Sequence, residues 1–430
     1  MPTQAASARL FHTSAASLHQ SARQWPPFFV RLQGVGPHSW GSGTGLAAHS
    51  PVGVLRVQDF GAGEARIAGR PVIWHGSPFD LFSRFCEEFL SGRSAPETHV
   101  VVAIQYDAAL PLHGIVPRRT GCLPLLLALA YRSATVTVPP PSLPDFDRAA
   151  ARPSRCSSLD AAWDQAQYQS AFQRVLEYIA AGDVYQVNLA YPLRSQQRLC
   201  GWRLYETLQR INPVNFGAYF HGGDFELISN SPELFLARRG RWLHTRPIKG
   251  TRPRGRTPDE DARRITELRN DPKERAELTM IVDLERNDLG RICRVGSVEV
   301  VAHQKVETYA TLHHMVSEVR GELVPGASWS DILCAMFPGG SVTGAPKRRA
   351  MQIIHELEVG SRGFYTGALG WLRAMDDADF ALLIRTAVVD ATGLEYWTGG
   401  GLVADSQPDR EYEETRLKAR AFQAAVEEAG

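Results

Sequence analysis

The chain has 430 residues, of which 44% are hydrophobic and 22% are charged. This composition indicates an ordinary soluble globular protein with one very large core or two ordinary ones. The 47 lysine and arginine residues nearly balance the 46 aspartate and glutamate residues. The chain therefore lacks the overall excess of basic residues that a nucleic-acid-binding protein would need.

Cysteine usage and hydropathy exclude two further classes. Six cysteines without a Cys-x-x-Cys spacing indicate neither a zinc knuckle nor a disulfide framework, and a reducing cytoplasm fits them best. The apolar run from Cys122 to Tyr131 contains a proline and is too short to cross a bilayer, so we predict a buried segment and no transmembrane helix.

The N-terminus has an unusual composition. No acidic residue occurs before Asp59, and the arginines there lie among serine and alanine. We interpret it as a poorly ordered N-terminus of bacterial type or an over-extended start site, with an organelle transit peptide, which has the same composition, as the alternative.

The first part of the chain predicts a scaffold. Strand-like runs such as His99–Ile104 occur there, but no cluster of polar residues that could form a catalytic site. Prolines 139–141 with Pro144, and the polar stretch through Ser158, predict a connector because prolines favour extended backbone and cannot join a sheet ladder. We therefore predict a divergent N-terminal subdomain over residues 1–155, contributing to the sheet core, and a second domain over residues 156–430.

The second part alternates helix and strand patterns. Three segments have helical spacing or composition, and the last contains a proline that a first helical turn tolerates: residues 168–181, 259–278 and 345–358. Three segments have strand patterns, the last interrupted by three glycines: residues 184–189, 380–389 and 394–403. Without regular βαβ spacing, this mixture predicts an α+β fold with a large, mostly antiparallel core.

A candidate nucleophile lies in the segment Pro247-Ile248-Lys249-Gly250-Thr251-Arg252-Pro253-Arg254. Pro247 fixes one backbone dihedral and Gly250 allows conformations closed to other residues, so the segment is predicted to be a shaped loop. A lysine attacks only as the neutral amine, and the arginines at 246, 252 and 254 could lower its pKa or hold an anionic substrate. A nucleic-acid patch is the alternative.

Two pairs of glutamates suggest a metal site. Glu274 with Glu277, and Glu411 with Glu414, are each three residues apart, so each pair can present both carboxylates on one helix face. Carboxylates and water suit magnesium, and four carboxylates could meet in one pocket. A solvated helix face is the alternative for either pair alone.

Two glycine-rich segments could approach an anion. Residues 339–347, Gly-Gly-Ser-Val-Thr-Gly-Ala-Pro-Lys, are not a phosphate loop because Ala345 stands where that motif requires its lysine. A glycine- and hydroxyl-rich turn before a helix still offers N–H groups and a positive dipole end to a carboxylate. The triple glycine Gly399–Gly401 offers a second approach, unless it is only a structural turn.

These motifs, with Ser231-Pro232-Glu233 and the segment Asp283–Arg291, follow one another as they do in the chorismate-utilising enzymes, which the chain resembles from Tyr168 onward. The resemblance implies a two-layer β-sandwich wrapped by helices, as in anthranilate synthase component I. Within the family the chain is most similar to the aminodeoxychorismate synthase component I branch. Lys249 stands where anthranilate synthases carry alanine, and Gln186 stands where isochorismate and salicylate synthases carry a water-activating lysine.

The resemblance also implies a mechanism. Lys249 would add to C2 of chorismate, and ammonia would then enter at C4 to give 4-amino-4-deoxychorismate, for p-aminobenzoate and folate synthesis. Glu233 matches the general acid, a role that needs a pKa raised toward neutrality, with a plain turn carboxylate as the alternative. Glu277 and Glu414 match direct Mg²⁺ ligands, and Glu274 and Glu411 would hold metal-bound waters.

Further positions match residues that bind the substrate. Arg385 suits a bidentate grip on a carboxylate, and for His314 a satisfied core histidine is the alternative. The matching set is Gln186, Gly250, Thr251, His314, Ser341, Thr343, Tyr365, Arg385, Gly399, Gly400, Gly401 and Lys418.

The resemblance also bears on partners. The surroundings of Cys122 lack the glutaminase nucleophile motif, so a separate glutaminase subunit is expected to supply ammonia. Anthranilate synthase component I and a non-catalytic chorismate-binding subunit are the alternatives for the whole chain.

Overall fold

The computed structural model describes residues 28–35, 38–43, 45–91, 98–118, 123–132, 159–197, 199–309 and 312–429. The predicted connector and the boundary between residues 155 and 156 lie outside the described residues. Residues 1–27, most of the N-terminal segment for which a transit peptide was the alternative interpretation, lie outside them too. None of the described helices is long and apolar enough to cross a membrane.

Strands dominate the described part of the chain. In chain order they are β1 (Val30–Gln33), β2 (Leu46–Ala48), β3 (Gly53–Val57), β4 (Ala62–Ile67), β5 (Arg70–His75), β6 (Thr98–Ile104), β7 (Leu126–Arg132), β8 (Asp160–Ala161), β9 (Gln186–Ser195), β10 (Phe216–His221), β11 (Glu226–Ser231), β12 (Leu234–Arg239), β13 (Trp242–Arg246), β14 (Ile248–Pro253), β15 (Glu299–Thr308), β16 (Leu312–Glu322), β17 (Gly344–Ala345), β18 (Ala368–Ala374), β19 (Asp377–Leu382), β20 (Thr386–Asp390) and β21 (Gly393–Leu402).

The α-helices of the described part are α1 (Pro78–Leu90), α2 (Gln165–Ala180), α3 (Gly201–Ile211), α4 (Pro258–Asn270), α5 (Pro272–Gly290), α6 (Trp329–Met336), α7 (Lys347–Leu357) and α8 (Pro408–Ala429). Short 3₁₀ turns occupy Trp40–Gly43, Tyr106–His113 and Gly340–Val342.

The strands form two antiparallel sheets. Sheet I has nine strands in the order β17-β9-β21-β20-β11-β10-β1-β2, with β8 beside β9. Sheet II has twelve strands in the order β14-β16-β13-β12-β19-β18-β6-β7-β3-β4-β5, with β15 beside β16. Strands from the first 132 residues pair with later strands in both sheets, β1 with β10 and β6 with β18, so the N-terminal region is part of the sheet core.

The two sheets pack face to face, and helices cover their outer faces. On β6, Val101 and Ala103 join the apolar layer between the sheets, whereas Val100, Val102 and Ile104 face the other way, into the layer beneath α1, α5 and α6. Side chains alternate across a strand, so a strand buried on both faces is apolar throughout. Helices α2, α3, α7 and α8 cover sheet I in the same way. This arrangement confirms the predicted α+β fold and helix-wrapped sandwich.

Three predicted elements differ from the structure. The predicted strand 380–389 is two strands, β19 in sheet II and β20 in sheet I, because the chain changes sheets between them. The predicted helix 259–278 is two helices, since Asp271 ends α4 and caps α5 by accepting from the N–H groups of Lys273 and Glu274. The glycines at 399–401 do not interrupt β21, which runs through them.

Candidate active site

Lys249 lies on β14, at the end of sheet II, so the predicted loop was wrong. Lys249 pairs with Met315 and Thr251 pairs with His314, and the register shifts between them. Gly250 is the extra residue of this bulge, with φ of 71°. A Cβ there would lie 3.2 Å from the Glu274 carboxyl carbon, so the glycine allows that carboxylate to approach the strand.

The Lys249 amine lies between a carboxylate of α5 and the glycines of sheet I. Its Nζ is 3.6 Å from Glu277 Oε2, and the side chain is 15% exposed. A Cβ on Gly401 would lie 3.4 Å from the same Nζ and 2.8 Å from Gln186 Nε2. Residues from α5, β14, β9 and β21 thus converge on one amine.

The arginines around Lys249 have partners of their own. Arg246 donates to Glu307, at 2.7 Å, and Arg252 donates to Asp271, also at 2.7 Å. Arg254 donates to Asp261 at 2.9 Å. The prediction that these guanidinium groups act on the lysine or hold the substrate is therefore corrected: the closest charged partner of the amine is a carboxylate, and the arginines stabilise the surrounding strands and helices.

Glu233 lies where the chain crosses from sheet I to sheet II, between β11 and β12. Its side chain is buried, and its Oε1 accepts a hydrogen bond from Ser341 Oγ at 2.7 Å. Burial raises the pKa of Glu233 to about 7, against the lowering effects of the Ser341 hydrogen bond, Lys249 and Arg385. The carboxyl group thus titrates near neutrality, as a general acid must.

Arg385 lies at the reverse crossover, between β19 and β20, with φ of 50°. Its carbonyl accepts from Asn230 N–H at 3.0 Å, and Glu233 O accepts from Leu382 N–H at 3.1 Å, so the two crossovers lie side by side. Among the described residues, no carboxylate lies within 4 Å of the Arg385 guanidinium to form an ion pair with it. Arg385 is therefore free to bind an anionic group next to Glu233.

His314 and Thr251 form a pair near Arg385. Thr251 Oγ1 and His314 Nδ1 are 2.9 Å apart. Burial, together with the nearby Arg385 charge, lowers the pKa of His314 to about 4, so the imidazole is neutral at pH 7. A neutral ring bonded to a hydroxyl is also what a satisfied core histidine would show, so the geometry fits both interpretations of His314.

The turn between α6 and α7 supports Glu233 from the other side. The Ser341 hydroxyl binds Glu233, and the neighbouring Gly340 N–H donates to Glu285 Oε1 at 3.2 Å. Thr343 is fully buried, and its hydroxyl donates to the carbonyl groups of residues 339 and 340 within the turn. Ser341 therefore reaches the site, whereas the Thr343 side chain is engaged in the turn.

Gln186 and Tyr365 are buried on the sheet I side. Gln186 begins β9, is fully buried, and neither its Nε2 nor its Oε1 has a hydrogen-bond partner among the described residues. An unpaired buried amide is costly, and both polar groups of Gln186 are available to a ligand. Tyr365 is also buried, and its ring stacks on Trp397 of β21 at 5.8 Å.

The glycines of β21 lie against α8. Gly399 O accepts from Lys418 Nζ at 3.0 Å. A Cβ on Gly400 would lie 3.6 Å from Lys418 Nζ and 3.8 Å from Glu411 Oε2. The absence of side chains at these positions leaves room between the strand and the glutamates of α8.

The four predicted metal-site glutamates lie in one region, and each has a basic partner. Lys249 faces Glu277 at 3.6 Å, Lys418 faces Glu414 at 2.8 Å, and Arg252 faces Glu274 at 3.6 Å. Lys273 Nζ lies 3.0 Å from Glu411 Oε1 and 3.8 Å from Glu277 Oε1. No group of three histidine, cysteine or acidic side chains in the described ranges is arranged to hold a metal ion.

Lys273 is a member of the glutamate cluster that sequence reasoning missed. A compositional feature could have found it, because only five of the 47 basic residues are lysines. Three of those five, Lys249, Lys273 and Lys418, contact the glutamate cluster. In a chain that uses arginine almost everywhere else, a lysine indicates a position where an amine or a small cation is needed.

A separate groove of about 1150 Å³ runs along a different face of α5. Tyr185, Met280 and Pro346 are among its lining residues, and none of the predicted site residues contributes to it. The convergent polar groups lie at Lys249, so the candidate site is there.

Known proteins resemble the chain over the region that carries this site. A model described as chorismate binding enzyme matches residues 97–424. An aminodeoxychorismate synthase component 1 of Bacillus subtilis is 45% identical over 278 residues, which are 64% of this chain and 59% of the relative. An anthranilate synthase component 1 of Haloarcula marismortui is 46% identical over 257 residues, 60% of this chain and 53% of the relative. The matched part therefore spans little more than half the length of these relatives.

Solved structures share the fold. Anthranilate synthase component I from Streptococcus pneumoniae has a TM-score of 0.73 at 26% identity, with 92% of each chain covered. The menaquinone-specific isochorismate synthase from Escherichia coli has a TM-score of 0.62 at 18% identity, which shows the fold alone. Because the family model covers more than half of its length, this chain belongs to the chorismate binding enzyme family.

Proposed function

We propose that the chain is the chorismate-binding component of an aminodeoxychorismate synthase, which converts chorismate and ammonia to 4-amino-4-deoxychorismate and water. The observation that carries the proposal is the placement of the Lys249 amine beside Glu277 and the unpaired Gln186 amide. Anthranilate synthases have alanine at the position of this lysine, so the resemblance favours a reaction that uses an amine. The aminodeoxychorismate synthase of Bacillus subtilis is among the relatives that support it.

The first half of the reaction would use Lys249 and Glu233. After the Lys249 ammonium gives up a proton to solvent, the neutral amine forms a bond to C2 of the ring, the two ring double bonds shift, and the bond between C4 and its oxygen breaks. Glu233 donates its proton to that oxygen, which leaves as water. A carboxyl group with a pKa of about 7 is protonated often enough near neutrality to do this.

In the second half, ammonia attacks C4, the double bonds shift back and the bond between C2 and the lysine nitrogen breaks. The lysine leaves as the neutral amine, the new ammonium group at C4 returns one proton to the Glu233 carboxylate, and the enolpyruvyl group stays on the ring. Arg385 would bind a substrate carboxylate, since no described side chain occupies its guanidinium in an ion pair. The Gln186 amide would bind a polar group of the substrate or the incoming ammonia.

The glutamate cluster fits a divalent cation by the chemistry of its donors. Two glutamates of α5 and two of α8 lie in one region, each beside a basic side chain, and the Lys273 ammonium lies between Glu277 and Glu411. Glu277 and Glu414 would hold magnesium directly, and Glu274 and Glu411 would hold its waters. When bound, the ion would fix a carboxylate of chorismate and neutralise its charge.

A separate glutaminase subunit would supply the ammonia. The relatives are named as component 1, which implies a partner subunit. A cytoplasmic location and a role in p-aminobenzoate and folate synthesis belong to the same proposal.

Anthranilate synthase component I is the second candidate, because relatives with that name from Haloarcula marismortui and Thermus thermophilus are 46% identical. That activity releases pyruvate, whereas the proposed one does not. One experiment separates them: the protein is incubated with chorismate and magnesium without ammonia, then digested and analysed by mass spectrometry. We expect an adduct on Lys249 that is absent from Lys249→Met, and no pyruvate once ammonium is added. Stoichiometric pyruvate without an adduct would refute the proposal.

A further inference from the structure

Lys273 connects the two helices that carry the predicted metal-site glutamates. It lies in the first turn of α5, and its Nζ donates to Glu411 Oε1 of α8 at 3.0 Å. The same nitrogen is 3.8 Å from Glu277 Oε1. The Lys273 side chain is 46% exposed, whereas those of Glu411 and Glu277 are 4% and 11% exposed. A half-exposed cation therefore neutralises two buried carboxylates.

We propose that the Lys273 ammonium is the resident counterion shared by Glu411 and Glu277, lying between these two carboxylates when no divalent cation is bound and leaving when one binds. The inference rests on the proposed function, in which the cluster holds magnesium. Two carboxylates that are removed from water need a cation, since each loses its hydration on burial. The ammonium would compete with magnesium and its bound waters for the same two carboxylates.

The surroundings of Lys273 allow it to leave. Its four-carbon stem is flexible, and its exposed half already faces water, so the ammonium can be hydrated as soon as it is displaced. Glu411 keeps a second partner after that, because its Oε1 also accepts from Ser406 Oγ at 2.7 Å. The carboxylate would therefore stay oriented while its cation changes.

A lysine at position 273, rather than an arginine, suits a cation that magnesium has to displace. Only five of the 47 basic residues are lysines, so arginine is the usual basic residue of this chain. A guanidinium would bind both carboxylate oxygens through two parallel hydrogen bonds, and a divalent ion would then have to break both. An ammonium is a point charge, which makes it the weaker competitor.

The test compares metal affinities in a series at position 273. The full chain is titrated calorimetrically with MgCl₂, and then with MnCl₂, in the absence of chorismate. Lys273→Met removes the competing charge at similar length and should bind the metal roughly tenfold more tightly than the wild type. Lys273→Arg keeps the charge in a bidentate form and should bind more weakly than the wild type. Lys305→Met, an exposed position on β15, serves as the matched control and should bind like the wild type.

A second readout is thermal stability without metal. Lys273→Met should unfold at a lower temperature than the wild type in metal-free buffer, and magnesium should close that gap, because the ion replaces the missing charge.

The outcomes separate this inference from the proposed function. Equal affinities along the series, or weaker binding by Lys273→Met with recovery in Lys273→Arg, would overturn the counterion role and leave the metal site standing. Failure of the wild type itself to bind magnesium or manganese would overturn both the counterion role and the metal part of the proposed function.

Discussion

Lys249 Nζ lies 3.6 Å from Glu277 Oε2, so the candidate nucleophile and a candidate metal ligand share one ion pair. Both side chains are largely buried, at 15% and 11% exposure. The lysine belongs to β14 of sheet II and the glutamate to α5, which packs against β14 and β16. A change at either residue is therefore expected to affect both the amine and the metal-binding carboxylates.

The first prediction concerns Glu277. Glu277→Gln keeps the shape of the side chain but removes its charge. The variant should therefore lose both magnesium binding and the ion pair with Lys249. We expect kcat/KM for chorismate with ammonium to fall by roughly tenfold to a hundredfold, the range seen when a metal site loses a supporting group. Steady-state kinetics over a range of magnesium concentrations would measure it. Glu413→Gln, at an exposed position of α8, is the control, and full activity of Glu277→Gln in metal-free buffer would contradict the prediction.

The second prediction is a pH dependence set by Glu233. Burial raises its pKa from the ordinary 4.5 to about 7, so the proton needed for donation is present below that pH and is lost as the pH rises through 7. kcat/KM should therefore decline on the alkaline side with an apparent pKa of about 7. Glu233→Gln should remove this limb and lower the rate by roughly 10²- to 10⁴-fold.

Ser341 provides a sharper version of the same test. Its hydroxyl donates to Glu233 Oε1 at 2.7 Å and lowers the pKa of that carboxyl group. Ser341→Ala removes the hydrogen bond, so the alkaline limb should move to higher pH while the fold is retained. Glu233 would not be the titrating acid if the alkaline decline of kcat/KM had the same apparent pKa in this variant, or if the wild type showed no such decline.

The third prediction distinguishes the three glycines of β21. A Cβ on Gly399 would lie 2.6 Å from Leu189 O, a backbone atom that cannot move alone, so Gly399→Ala should destabilise the fold by about 1–3 kcal/mol. Gly400→Ala meets only contacts of 3.6 Å and longer and should keep the unfolding temperature of the wild type. Gly401→Ala would press on the Gln186 amide at 2.8 Å, so it should lower activity more than stability.

Thermal unfolding and initial rates of the three alanine variants together would check this pattern. The same loss of stability in all three would contradict it, since the argument assigns different neighbours to each glycine.

The fourth prediction concerns Arg362, which sequence reasoning did not single out. Its guanidinium is buried and donates to Glu358 Oε1 and to Asn188 O, each at 2.6 Å, and to Val342 O at 2.9 Å. It thereby ties the strand of Gln186 to the turn of Ser341. Arg362→Met leaves the Glu358 charge buried without its partner, so we expect a loss of about 3–5 kcal/mol in the free energy of unfolding.

Urea unfolding would measure the free energy of unfolding of Arg362→Met and of the double variant that carries both Arg362→Met and Glu358→Gln. The double variant should recover part of the loss, because it no longer buries an unpaired charge. A single variant as stable as the wild type would show that the pair is not needed to hold the site together.

Local patterns predicted some features of the site well and others badly. The strand His99–Ile104 and the helix beginning after Pro346 were predicted because their residues depend on neighbours only a few positions away. The predicted loop over Pro247–Arg254 and the single strand predicted over residues 380–389 were wrong, because both depend on which sheet the chain joins. The arginines flanking Lys249 looked available in sequence, and only the fold shows that Glu307, Asp271 and Asp261 bind them.

The sequence by itself determined the α+β class, the antiparallel core and the family, because these follow from residue periodicity and from motifs that are contiguous in the chain. Tertiary structure alone decided which side chains meet. Glu233 and Arg385 are neighbours because two crossovers between the sheets lie side by side, and Lys273 reaches Glu411 because α5 and α8 approach across the site. Such contacts join residues that are more than a hundred positions apart in the chain. They are determined by the order of strands in the sheets and by the packing of helices, and no local sequence pattern encodes either.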